Sequence, residues 1–296
     1  MVKEGASPPR AGVIGWPIAH SRSPLIHGTW LKRHGLAGRY ERIAVAPDEA
    51  DAFFADFAGK GLVGANVTIP HKQTAARHCD RLSDVAATLG AVNTLWLEEG
   101  RLCGDNTDVA GFLGHLDASQ PGWENRVNRA VVLGAGGASL AVLYGLKSRG
   151  LGDVLVLNRS ADKARSVADR FGYESASLES ASEALEGADL LVNTTALGMA
   201  GQPPLDLDPA PMAPGGIVYD IVYVPLETAL LRRARAAGLH AVDGLGMLLH
   251  QAVPGFARWF GVKPCVDESL RNSLLADLGE TENRAGATSS GQEPPA

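Results

Sequence analysis

Residues 131–146 read VVLGAGGASLAVLYGL: a short β-branched run, three glycines within four positions, then an apolar stretch of helix length. No other string limits the fold as much. The run suits a buried strand, and the glycines allow a turn too tight for a Cβ. The helix that follows presents unpaired N–H groups at its start. In dinucleotide-binding folds this strand–turn–helix unit lets a pyrophosphate approach bare backbone. It also accounts for an uncharged stretch, Ala130–Leu146, that is slightly short for a membrane span. The third small position is Ser139 where the fingerprint has glycine, so the pattern is a variant and the turn alone is a weak signal, with a glycine turn that binds no nucleotide as the lesser alternative.

The next strand, DVLVLNR (Asp153–Arg159), narrows the reading. NAD-binding domains usually end this strand in an acid that holds the ribose 2′-hydroxyl. Here the strand ends in Asn158, Arg159 and Ser160, with Lys163 one turn on. An acid would repel a 2′-phosphate, whereas a guanidinium clamps it and an amide or hydroxyl donates to it. That favours NADP over NAD. It also disfavours an S-adenosylmethionine methyltransferase, which generally requires the acid.

Elsewhere short β-type runs alternate with helical patterns, which indicates α/β layers. Expected strands are Ala11–Gly15, Glu41–Val45, Leu62–Ile69, Ala91–Leu97, Leu190–Met199 and Gly216–Tyr223, with helices over Pro47–Lys60, Gly244–Trp259 and Asp267–Leu278. Ser23 is a natural N-cap with Pro24 at the first helical position. The expected division is a substrate-binding and catalytic domain over 1–107, a Rossmann-type nucleotide domain over 108–242, and helices over 243–278 that pack back on the first domain. The stretch 279–296, rich in Gly, Ser, Thr, Glu and Pro, reads as a disordered tail.

Thirty-three acidic against 27 basic residues leave a net charge of −6, which gives no support for nucleic-acid or anionic-membrane partners. The expected ligand is a small molecule. Cys79, Cys103 and Cys265 are scattered without metal or disulfide spacing, the eight histidines show no ligand pattern, and the first ten residues lack the apolar core of a signal peptide. A cytoplasmic protein without a metal is expected.

Four strings place small polar residues where strands end or helices begin: HSRSP (20–24), NVTIPHK (66–72), GAVNT (90–94) and GDNTD (104–108). Such positions line the ligand crevice of open α/β folds. Each has an ordinary structural explanation on its own: caps for Ser21 and Ser23, a strand residue for Thr68, a solvated lysine for Lys72, a dipole partner for Asp108, a turn for Asn93.

Together with GAGGAS, NRS, NTTALGM, DIVYVPLETALL and DGLGMLLHQA, these strings resemble, in order and spacing, the shikimate/quinate dehydrogenase family over nearly the whole of residues 11–278. The resemblance implies reduction of 3-dehydroshikimate by NADPH in a cleft between two α/β domains, by a monomer or homodimer. It implies that Ser21, Ser23 and Tyr223 bind the substrate carboxylate and that Thr68, Asn93 and Gln251 read the ring hydroxyls. Lys72 and Asp108 would be the catalytic pair. For the cofactor it implies Gly134, Ala135, Gly136, Gly137 and Ala138 at the pyrophosphate and Asn158, Arg159, Ser160 and Lys163 at the 2′-phosphate. Thr194 through Met199, Ile221, Gly244, Met247 and Asp84 would lie toward the nicotinamide. Two positions depart from the common pattern: Val224 stands where asparagine is frequent, and Leu140 where an arginine often follows the glycine turn. Quinate use is the near alternative, and Ser23 and Arg159 argue against it. A non-catalytic NADP sensor would be expected to have lost Lys72 or Asp108. On fold analogy alone, a folate dehydrogenase/cyclohydrolase or glutamyl-tRNA reductase would not explain HSRSP together with NVTIPHK.

Overall fold

The computed structural model of the chain describes residues 8–289, and side chains through residue 279. Two six-stranded sheets organise it. The first contains β1 (Arg10–Gly15), β2 (Arg39–Ala44), β3 (Gly64–Val67), β4 (Arg81–Leu82), β5 (Thr94–Glu98) and β6 (Arg101–Asp105) in the order β2-β1-β3-β5-β6-β4. β1 runs parallel to β2 and β3, while β5 is antiparallel to both β3 and β6. The hairpin between β5 and β6 turns at Glu99 and Gly100, both at positive φ.

The second sheet contains β7 (Arg129–Leu133), β8 (Asp153–Asn158), β9 (Glu174–Ser177), β10 (Leu190–Asn193), β11 (Ile217–Asp220) and β12 (His240–Val242). Its order is β12-β11-β10-β7-β8-β9 with every pairing parallel. This is the doubly wound dinucleotide-binding arrangement, with its switch point between β7 and β10. Helices cover both faces, which is why β10 and β11 are buried throughout.

The connections between the sheets position the site. The helix Asp108–Ser119 leaves the end of β6 and buries Val109, Phe112 and Leu116 among Val132, Val142 and Leu146 of the second unit. Helices Leu245–His250 and Ala252–Phe260 return the chain, and the latter sets Phe256, Trp259 and Phe260 against Ile26, Trp30 and Leu31. The Trp259 Nε1–H donates to Leu95 O at 2.9 Å, tying that helix to β5. The C-terminal helices thus complete the core of the first sheet. Full burial of each such large side chain contributes roughly 1.5–3 kcal/mol.

Several expectations need correction. The stretch from Gly279 expected to be disordered instead continues the helix Glu268–Ser289, and residues 290–296 lie outside the described residues. Glu, Arg and Ala in that stretch cost little in a helix. Several strands are shorter than their apolar runs: β3 stops at Val67 before Pro70, and β10 at Asn193, whose side chain begins a turn. The helix expected over Pro47–Lys60 is two pieces, Ala50–Ala55 and a 3-10 turn Phe57–Lys60. The stretch Gly244–Trp259 likewise divides at Gln251.

Candidate active site

Ends of β1, β3, β5 and β6 converge with the residues after β11 and with the helix Leu245–His250 around a cavity of about 370 Å³. All eight residues expected to bind substrate or catalyse line it: Ser21, Ser23, Thr68, Lys72, Asn93, Asp108, Tyr223 and Gln251. Ile221, Gly244 and Met247, expected on the nicotinamide side, line it as well. Contributions from both sheets to one cavity follow from the crossing helices.

Lys72 opens the helix Lys72–His78, and Asp108 opens the helix Asp108–Ser119. The Lys72 ammonium donates to Asp108 Oδ2 at 2.5 Å. The other carboxylate oxygen, Oδ1, accepts from Asn93 Nδ2 at 2.8 Å. Asn93 in turn is fixed through its side-chain carbonyl, which accepts from Thr107 N at 2.7 Å and from the Thr94 hydroxyl at 3.0 Å. With its carbonyl so occupied, the amide has one orientation, and its NH2 must face Asp108. Thr107 Oγ1 also donates to Gln251 O at 2.8 Å, which fastens the returning C-terminal segment to the site. The lysine and aspartate side chains are 29% and 16% exposed, so the pair meets water only from the cavity side. An ion pair this desolvated persists where further hydrogen bonds satisfy its remaining atoms, as they do at Asp108. His71, just before Lys72, is buried and bonded to Val45 O at 2.8 Å, a local structural role.

At the other end, Ser23 N donates to Ser21 Oγ at 3.4 Å, and the Arg42 guanidinium donates to Ser21 O. Burial pushes the Tyr223 phenol up, and the nearby Arg22 guanidinium opposes that shift. Tyr223 is therefore a neutral donor at ordinary pH. Arg22 is itself ion-paired with Asp277 at 2.7 Å. Two serine hydroxyls, a phenol and a nearby guanidinium form a small anion-accepting end. Lys72 and Asp108 place an ammonium and a carboxylate at the opposite end, a pair chemically able to handle a proton.

The glycine turn follows β7 and opens the helix Gly137–Ser148. Gly134 has φ +109°, and a Cβ there would lie 2.6 Å from Thr194 Oγ1, so no other residue fits. At Gly136 and Gly137 a Cβ would meet nothing within 4 Å. The backbone there faces open space at a helix start, a cradle suited to a pyrophosphate. Asn158, at the end of β8, bonds Ser160 O at 3.1 Å, and Arg159, Ser160 and Lys163 are exposed beside it. The donor set fits a 2′-phosphate. Thr194 Oγ1 donates to Leu133 O at 2.6 Å, and Met199 is exposed. Asp84 is exposed at the start of the helix Asp84–Leu89 and does not line the cavity. Among the described residues no His, Cys, Asp and Glu cluster could hold a metal ion. Among the described residues no helix is long and apolar enough to cross a membrane.

The structure adds residues that the motifs contained without singling out. Arg22, Asn66 and Leu248 line the cavity. Asn193 and Asp220, both fully buried, brace the ends of β10 and β11: Asn193 Nδ2 donates to Asp220 Oδ1 at 2.9 Å, and Thr228 Oγ1 donates to Asp220 Oδ2 at 2.7 Å. Burial raises the Asp220 carboxyl, against these bonds. The available sequence signal was an amide or an acid ending a buried strand. Leu140, where arginine is frequent, packs partly buried against the second core.

Three family models match the chain: the shikimate dehydrogenase substrate binding domain over residues 13–95, shikimate/quinate 5-dehydrogenase over 118–199, and the shikimate 5′-dehydrogenase C-terminal domain over 244–267. The shikimate dehydrogenase (NADP(+)) of Azorhizobium caulinodans is 56% identical over 271 residues, 91% of this chain and 96% of that one. The structure of the Thermus thermophilus shikimate 5-dehydrogenase in complex with NADP(H) and shikimate superimposes with a TM-score of 0.81 at 37% identity, over 91% of this chain and 99% of that one. A quinate dehydrogenase from Corynebacterium glutamicum in complex with NAD gives 0.83 at 30% identity, over 91% and 99%. By these matches, and by the cavity and glycine turn its residues build, the chain belongs to the shikimate dehydrogenase family.

Proposed function

We propose that this chain catalyses the reversible NADPH-dependent reduction of 3-dehydroshikimate to shikimate. The observation that carries the reading is the Lys72–Asp108–Asn93 cluster in the wall of a cavity whose other end accepts an anion. Ser21, Ser23 and Tyr223 bind the substrate carboxylate, and Thr68, Asn93 and Gln251 read the ring hydroxyls. This sets the ketone beside Lys72.

When bound, NADPH supplies the hydride to the carbonyl carbon. Gly134, Ala135, Gly136, Gly137 and Ala138 hold its pyrophosphate, and Asn158, Arg159, Ser160 and Lys163 hold the 2′-phosphate. Thr194, Met199, Ile221, Gly244 and Met247 bound the nicotinamide end, with Asp84 at its edge. As charge builds on the carbonyl oxygen, the Lys72 ammonium stabilises it and delivers a proton from Nζ to that oxygen. In the reverse direction the Lys72 amine takes the proton from the substrate hydroxyl. Asp108 holds the lysine in place through Oδ2 and is itself oriented by Asn93. Ketone, hydride and one proton give the alcohol, so the step balances without a metal.

The test is oxidation of NADPH, followed at the nicotinamide absorbance band, with 3-dehydroshikimate, run beside NADH and 3-dehydroquinate. Rapid turnover confined to NADPH and 3-dehydroshikimate supports the assignment. Turnover mainly with 3-dehydroquinate or NADH moves it to a quinate-type enzyme with the same acid–base pair. Folded protein that binds NADPH but turns over none of the pairs refutes the catalytic reading.

A further inference from the structure

Beneath the cavity lies a string of hydrogen bonds that all point the same way. It begins at Tyr40 on β2, outside every motif that marks the site. The Tyr40 hydroxyl donates to Asn66 Oδ1 at 2.5 Å. Asn66 Nδ2 donates to Thr94 Oγ1 at 3.2 Å and to Asn93 O at 3.2 Å. Thr94 Oγ1 donates to Asn93 Oδ1 at 3.0 Å, and Asn93 Nδ2 donates to Asp108 Oδ1 at 2.8 Å. Each member accepts from the one before and donates to the one after, and the last acceptor is the carboxylate that holds Lys72.

We infer that Tyr40 is a positioning residue for the catalytic carboxylate, acting through Asn66, Thr94 and Asn93. The inference rests on the acid–base role proposed above for Lys72 and Asp108. Three physical points support it. First, Asn66, Asn93 and Thr94 are 5%, 3% and 2% exposed, so water cannot replace a missing partner, and the orientation of each group is set by its neighbours. Second, an amide carbonyl only accepts and an amide NH2 only donates. A donor at Asn66 Oδ1 therefore forces the Asn66 NH2 toward Thr94, which leaves the threonine hydroxyl to donate, to Asn93 Oδ1 or to Thr107 Oγ1, each 3.0 Å away. Third, Tyr40 is held as a donor. Its ring stacks on His27 with centroids 3.9 Å apart and planes 7° from parallel, and the surrounding protein raises the phenol pKa well above its ordinary value. The His27 imidazole, pushed down to about 3 by its burial, stays neutral beneath it. Because two links are amides, which neither gain nor lose protons here, the string orients Asp108 and carries no proton.

The experiment is a double-mutant cycle between Tyr40→Phe and Asn93→Ala, with kcat, the KM for NADPH and the melting temperature read for each. Phenylalanine keeps the ring on His27 and removes only the donor. Tyr40→Phe is expected to lower kcat about tenfold, the effect of one buried hydrogen bond, with the KM for NADPH unchanged. In the Asn93→Ala background the same substitution should change kcat less than about twofold, because the path to Asp108 is already cut. Asn66→Asp keeps the acceptor for Tyr40 and removes the donor to Thr94, so it should lower kcat in the same way and stands in if Tyr40→Phe does not fold. Turnover of Tyr40→Phe within about twofold of the unsubstituted chain overturns the inference. So does an undiminished effect in the Asn93→Ala background, which would mean a general structural role. A wild-type chain that does not reduce 3-dehydroshikimate would instead sink the functional reading, so the two failures are distinct.

Discussion

Gly246 is the second residue of the helix Leu245–His250, facing the helix Asp108–Ser119, and a Cβ there would sit 2.1 Å from His115 Cδ2 and 2.2 Å from its Nε2. Gly246→Ala therefore requires the His115 ring to leave or the two helices to separate. Either movement breaks the bond between His115 Nδ1 and the Tyr219 hydroxyl at 3.0 Å and leaves that hydroxyl, on a fully buried residue, without its partner. The lost bond costs roughly 1–3 kcal/mol, and the overpacking costs roughly 1–3 kcal/mol more. Alanine's better helix propensity returns about 1 kcal/mol. The net expectation is a loss of roughly 1–5 kcal/mol, centred near 3, or a melting temperature lower by roughly 2–20 °C for a chain of this size. Scanning calorimetry reads it directly. Both helices carry residues of the cavity, so kcat/KM should fall as well. The decisive control is His115→Ala, which empties the space a new methyl group would enter. In that background Gly246→Ala should be neutral or slightly stabilising, a reversal of sign. A melting point within about 2 °C of the unsubstituted chain for Gly246→Ala alone, or full additivity with His115→Ala, would refute the reasoning.

Lys72→Ala should lower kcat by about 10²–10⁴-fold while leaving NADPH affinity, measured by fluorescence titration, nearly unchanged. Near wild-type turnover would remove the acid–base assignment. Arg159→Ala should raise the KM for NADPH roughly 10–100-fold, the scale of a lost charge-assisted hydrogen bond, with little change for NADH. Equal changes for both cofactors would sink the 2′-phosphate argument. Burial depresses His27 to about 3 and His115 to about 4 from 6.5, so the unfolded chain takes up protons that the folded chain refuses. The associated stability is full above 6.5 and is lost as pH falls toward those folded values, by roughly 2–3 kcal/mol per pH unit near pH 5 for the two together. Urea unfolding as a function of pH reads this slope, and His27→Leu should remove about half of it.

The glycine turn, the strand before it and the four polar strings were legible because each is contiguous. A turn that needs φ +109° at Gly134 shows itself as glycine, and a strand ending at the crevice shows itself as a polar residue after an apolar run. Strands without an apolar β-branched run were not legible. β9 reads ESAS and β6 reads RLCGD, with no β-branched residue between them, and both form because a neighbouring strand offers a ladder. Tyr40 escaped for a related reason. Nothing local in RYERIA distinguishes a tyrosine of the role proposed for Tyr40 from one that packs an edge, because its hydrogen-bond partner Asn66 is 26 residues away.

The same distinction explains where the catalytic pair sits. Lys72 belongs to the first unit by its helix, which packs over β3 and the segments Ala50–Ala55 and Phe57–Lys60. Asp108 starts a helix whose buried side chains lie in the second core. Their 2.5 Å bond is therefore a tie between the two units as well as a piece of chemistry. A rigid displacement of the second core relative to β3 must reach Asp108, because a helix transmits motion along its axis and its interior packing does not yield gradually. Asn93 opposes that displacement from the first-sheet side, with Tyr40, Asn66 and Thr94 behind it. Under the acid–base role proposed for Lys72, its alignment is set jointly by the first sheet and by the core that carries the glycine turn, so an error in either one is felt at its Nζ.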